Sequence, residues 1–203
     1  MRRHRGVTRE ELNQSAAVAV AVLLGIGLVT AWNVLIPGVA AWENTVVAVV
    51  GSLRHTGPAA AAFAAWVALR VRRARRRRAP APGPWRALRV PLAVLAVVVC
   101  AFGATVVVLA LRGAVSEHAG RMPPSGLLAG VAGLAFFVAL GWVAGWAVPR
   151  GITPVAVLAA GYAISHWAAH GPRWAERLGP SIREPYDLFG ALDPELFTGQ
   201  ALW

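Results

Sequence analysis

His166 and His170 stand four residues apart, the spacing that sets two imidazoles on one helical face within reach of a single metal ion. A zincin-type hydrolase would also need a glutamate directly after the first histidine. The run here is His166-Trp-Ala-Ala-His170, so that base is missing. The two histidines are the only candidate metal ligands, and their plainer reading is side chains lying among lipid headgroups. Ser125, His118 and Asp187 supply the residue types of a serine hydrolase. Ser125 sits in Pro123-Pro124-Ser125-Gly126-Leu127, however, without the Gly-x-Ser-x-Gly frame of a nucleophile elbow. All 20 basic residues are arginine, and a Walker-type phosphate loop requires lysine, so the chain is not itself a P-loop ATPase. The single cysteine, Cys100, lies within an apolar run and excludes a disulfide framework, a zinc ribbon or a dithiol redox motif. The inventory predicts neither a catalytic centre nor a cofactor.

The net charge of +11 has the magnitude of a nucleic-acid binder, but its distribution points elsewhere. Seven arginines fall between Arg70 and Arg78, directly beside an apolar segment. Basic residues flanking an apolar span mark a cytoplasmic membrane face. No nucleic-acid partner is expected. Arg72, Arg73, Arg75, Arg76, Arg77 and Arg78 are the candidate contacts for anionic lipid or for acidic residues of a cytoplasmic partner, whose carboxylates match guanidinium forks. A second pattern is made by Gly126, Gly130, Gly133, Gly141 and Gly145, which fall near one helical face. Such a face admits a neighbouring helix closely, within one bundle or across a homo- or hetero-oligomer. Trp142 and Trp146 form a bulkier stripe beside it.

Composition decides which elements hold these residues. The chain is 57% apolar and only 14% charged, with a mean hydropathy of +0.56; soluble domains carry about a quarter of their residues as charge. Uncharged stretches of 31, 22, 28 and 22 positions follow Glu11, Arg89, Arg121 and Arg150, and a bilayer-spanning helix needs about 20. A water-soluble fold is excluded. No small-x-small cleavage site closely follows the first apolar run, so secretion is not expected. The pattern predicts an all-α polytopic membrane protein with about five transmembrane helices, at residues 15–36, 57–72, 90–111, 124–148 and 151–170.

A basic N-terminal helix, residues 1–14, precedes the first span, with Thr8-Arg-Glu-Glu11 reading as a capping box. Val39 to Gly57 reads as an interfacial helix on the far surface, and the second span as a separate helix opening at Pro58. That span is short: from His55 to Leu69 there are 15 uncharged residues, about 22 Å of helix against a core of about 30 Å. Snorkelling Arg70 and Arg72 would lengthen it. Residues 72–89 read as an arginine- and proline-rich cytoplasmic loop. Residues 173–203 read as a polar, aromatic outer tail, with Leu196 to Trp203 the beginning of a sixth apolar helix. This threading leaves 14 arginines and two acids inside, against six arginines and seven acids outside. The asymmetry predicts a cytoplasmic N-terminus and an extracytoplasmic C-terminal tail. His55, His118, His166 and His170 then lie on the outer side. No ionisable residue is expected at the centre of a well-defined span, which weighs against ion-coupled transport.

Taken as a pattern, the chain resembles the membrane subunit of type-2 ATP-binding-cassette exporters. Thr8–Gln14 corresponds to the cytoplasmic N-terminal helix of such permeases, Arg70–Arg89 to the loop that contacts the ATPase, and Val148-Pro-Arg-Gly151 to the link between the fourth and fifth spans. The resemblance implies a sixth span, a cytoplasmic ATPase subunit as partner, and a non-catalytic permease role in the plasma membrane. Two other functions fit the residues. One is a membrane-anchored structural or assembly protein whose outer tail binds a partner; the other is an intramembrane metal-dependent hydrolase.

Overall fold

The computed structural model of the protein describes residues 9–34, 41–75, 84–113 and 124–170, and the regular elements in them are all α-helices. They are α1 (Arg9–Val34), α2 (Ala41–Arg75), α3 (Pro84–Gly113), α4 (Pro124–Ala147) and α5 (Thr153–His170). Helices satisfy their own backbone polar groups, which a lipid environment requires. Three of them contain stretches long and apolar enough to cross a membrane: Gln14–Trp32, Leu88–Leu111 and Ser125–Ala147. Thr8, the expected cap, and the tail 173–203 lie outside the described residues.

Burial is inverted relative to a water-soluble bundle. Large apolar side chains stand exposed around the periphery: Val18 and Val29 on α1, Leu92 and Val107 on α3, Phe136 and Val143 on α4, Ile164 and Trp167 on α5. Exposed apolar surface on this scale needs a lipid or protein cover. The interior holds smaller residues, with Ala60, Ala61, Ala64, Ala65 and Ala68 of α2 almost completely enclosed. Three hydroxyls inside the bundle are satisfied within their own helices. Ser52 Oγ donates to the Val49 carbonyl at 2.6 Å, Thr56 Oγ1 to Ser52 at 3.1 Å, and Thr105 Oγ1 to Ala101 at 3.0 Å.

The expected break at Gly57-Pro58 does not occur. Residues 41–75 form one helix with Pro58 inside it, so the interfacial helix and the short second span are a single element. At 35 residues it is about 52 Å long. An interior proline deletes one backbone hydrogen bond and crowds the carbonyl four residues back. Neighbouring helices support that defect in a packed membrane bundle, and Pro58 here is buried against Gly161 of α5. The arginine-rich segment is also partly helical: α2 continues to Arg75 and α3 begins at Pro84.

Helix α2 is the axis of the molecule and packs against each of the other four. Its contacts set their directions. Gln14 lines a common groove with Arg70, while Gly27 lines a common space with Ser52 and Thr56, so α1 runs antiparallel to α2. Gly57 meets Phe137, Ala61 meets Gly141 and Ala65 meets Gly145, so α4 runs parallel to α2. Gly161 meets Pro58 and Tyr162 meets His55, while Val157 packs with Ala61 and Ala65, so α5 runs antiparallel. For α3, Thr105 meets Gly27, and nine residue steps from Arg75 to Pro84 reach at most about 32 Å. Its N-terminal arm must therefore lie toward the Arg75 end. Arg70, Arg72, Arg89 and Arg150 consequently share one end of the bundle with the start of α1.

Candidate functional site

Two seams of α2 and one helix end bring together the residues with functional potential. Along α4, the glycine face expected from the sequence divides. A Cβ on Gly141 would overlap the Ala61 backbone carbonyl, and one on Gly145 would lie 2.5 Å from the Ala65 oxygen and 2.9 Å from the Ala68 Cβ. Gly130 faces α3 instead, where a Cβ would come 2.6 Å from the Phe102 ring. Gly126 is buried and Gly133 half-buried. On α2, Gly57 receives the Phe137 ring, with a Cβ placed 2.5 Å from it.

At the arginine-rich end, the Arg72 guanidinium donates to the Trp146 carbonyl and lies 5.9 Å from the centre of the Trp146 ring. That carbonyl belongs to the last turn of α4, where acceptors lack helical donors and a cation is favourable. Arg72, expected from the sequence to face lipid or a partner, is thus engaged within the bundle. Arg73 is exposed at the same end. Arg75 is the last residue of α2, and Arg76, Arg77 and Arg78 lie outside the described residues. The link from α4 to α5 is tight: Arg150 N–H donates to Val148 at 2.8 Å, Thr153 N–H to Arg150 at 3.1 Å, and Thr153 Oγ1 to Val148 at 2.6 Å.

The α2–α5 seam is polar. His55 Nδ1 and the Tyr162 hydroxyl share a hydrogen bond of 3.1 Å, with ring centres 5.5 Å apart. Beside them, Arg54 is half-buried with its Nε enclosed and without a hydrogen-bond partner. Ser165, four residues beyond Gly161 on α5, is 2% exposed and its Oγ also lacks a partner. Arg54 stands 16 residues from Arg70 along one helix, about 24 Å. That distance is within the thickness of a hydrocarbon core. Sequence reasoning placed Arg54 and His55 on an outer interfacial helix, because it opened the second span as a separate helix at Pro58. Tyr162 and Ser165 carried no signal by themselves; the paired small residues Gly57 and Gly161 beside Pro58 were the one hint of close approach.

His166 is exposed on α5, and His170 is the last residue of that helix. Among the described residues no three histidine, cysteine or acidic side chains gather around a common point. His118 and Asp187, the other members of the serine-hydrolase set, lie outside the described residues. Cys100 is exposed on α3. Comparison with protein-family models, with curated proteins and with solved structures yields no match.

Proposed function

We propose that the protein is a non-catalytic, permease-like subunit of an ATP-driven exporter, with five spans, a cytoplasmic N-terminus and an extracytoplasmic C-terminal tail. The observation that carries this reading is the polar α2–α5 seam. A histidine bonded across two packed helices beside a half-buried arginine would be costly in a bilayer, and such residues ordinarily serve a solute path. The common end of Arg70, Arg72, Arg89 and Arg150 supports the orientation, because clustered arginines are retained on the cytoplasmic side. On that side the exposed Arg73 and the arginines that follow it in the sequence are the candidate contacts for a cytoplasmic ATPase.

The closed α2–α4 seam favours a second reading, a membrane-anchored assembly protein, since backbone-to-backbone packing leaves no space between those helices. Purification in mild detergent separates the two: the permease reading expects an ATPase subunit to co-purify, and the assembly reading expects none. Replacing Arg75 to Arg78 by lysine keeps the charge but removes bidentate pairing, so insertion should persist while ATPase retention falls. Orientation is tested with single cysteines in a Cys100→Ala background. Ser116→Cys and Ser181→Cys should react with an impermeant maleimide in intact cells, and Ala79→Cys should not. Labelling at Ala79→Cys would place the arginine run outside and overturn the topology.

A further inference from the structure

Between α1 and α2 lies a groove of about 670 Å³ that the permease reading does not use. Val18 and Val22 of α1 and Phe63 of α2 wall it, and its mouth is formed by Gln14, Trp66 and Arg70. The Arg70 guanidinium rests 3.9 Å from the centre of the Trp66 ring, which stacks in turn on Phe63 at 6.1 Å. Stacking holds the exposed cation at the groove, against its aromatic wall.

The dimensions select the occupant. From Gln14 to Leu23 the groove follows nine residue steps of α1, about 14 Å. Half of a hydrocarbon core is about 15 Å. The groove is as deep as one leaflet and opens at the headgroup level on a cation. A partner helix would need a face running the full height of the bundle, and this groove stops at Leu23.

We infer that the α1–α2 groove is a binding site for an anionic diacyl phospholipid, one acyl chain lying along Val18, Val22 and Phe63 and the headgroup phosphate meeting Arg70. The inference rests on the membrane reading alone; it is indifferent to orientation and to any ATPase. Charge-assisted hydrogen bonds from a guanidinium favour phosphate, and the aromatic floor keeps the fork in place before the lipid arrives.

The test is native mass spectrometry and thermal unfolding of the full chain in mild detergent, with phosphatidylglycerol and phosphatidylcholine of the same acyl length as probes. The protein should retain phosphatidylglycerol in preference to phosphatidylcholine and unfold at higher temperature in its presence. Arg70→Gln should weaken phosphatidylglycerol retention about tenfold, the scale of one charge-assisted contact. Arg70→Lys should keep most of the preference for the anionic lipid. Val22→Trp, which fills the groove and leaves the charge, should reduce retention of both lipids. Arg73→Gln, outside the groove lining, should change neither, and circular dichroism with monodisperse elution checks the fold of each variant. Equal retention of the two lipids, or undiminished phosphatidylglycerol binding by Arg70→Gln, would overturn the assignment. Displacement of the lipid by inorganic phosphate at equal concentration would do so as well, because it would show that the acyl groove contributes nothing.

Discussion

Helix α2 meets α4 and α1 in opposite ways. Toward α4 it presents Ala61, Ala65 and Ala68, and α4 answers with Gly141 and Gly145, so the two backbones touch. Toward α1 it presents Phe63 and Trp66, which hold the helices apart and leave a groove. Both seams are apolar, and hydropathy does not distinguish them. In lipid there is no hydrophobic drive between helices, so side-chain size sets how far apart they stand and van der Waals packing sets how strongly they associate. Small residues close a seam; aromatic residues open one that a lipid chain can fill.

The largest effect is expected where a side chain would have to displace backbone. Gly141→Leu should destabilise by about 3 kcal/mol or more, at the upper end of overpacking costs, because the Ala61 carbonyl cannot rotate away. Thermal unfolding in detergent should show a drop of many degrees, or loss of the folded fraction. An unchanged melting temperature would mean that the α2–α4 contact does not form. Gly130→Leu should cost less, about 1–2 kcal/mol, since the obstacle is the far end of the Phe102 side chain and not backbone.

Ala61 and Ala59 sharpen the contrast, being two residues apart on one helix. Ala61→Leu should lose about 2 kcal/mol against the close α4 backbone. Ala59→Leu projects into the groove and should stay within about 0.5 kcal/mol of the parent. If both variants melt alike, the groove is filled by protein and the two seams are equivalent. Smaller again is Tyr162→Phe at the α2–α5 seam, which removes one hydrogen bond to His55 and should cost about 1 kcal/mol. A loss well beyond that would indicate that Arg54 and Ser165 depend on the tyrosine hydroxyl too.

What the sequence by itself determined is the helical class and three of the spans. Residues 15–36, 90–111 and 124–148 were legible as uncharged runs, and the apolar stretches Gln14–Trp32, Leu88–Leu111 and Ser125–Ala147 follow them closely. The reason is physical: these helices present exposed apolar faces, so nearly every position along them must be apolar, and a run of that kind needs no knowledge of neighbours. The clustering of arginines was legible too, because charge is excluded from the same interior.

The course and surroundings of α2 were decided only by tertiary structure. A helix packed against four others is largely relieved of the demand for lipid-compatible side chains, so it tolerates Arg54, His55 and an interior proline that in isolation read as a boundary. The same holds for the glycines. Their spacing on α4 showed a small face, but only the packing assigned Gly141 and Gly145 to α2 and Gly130 to α3. His55 and Tyr162 are 107 positions apart in the chain, and no local pattern relates them. Contacts of that range arise when helix directions and registers are set together, and those depend on how side-chain volumes interlock across whole faces, which no single stretch of sequence contains.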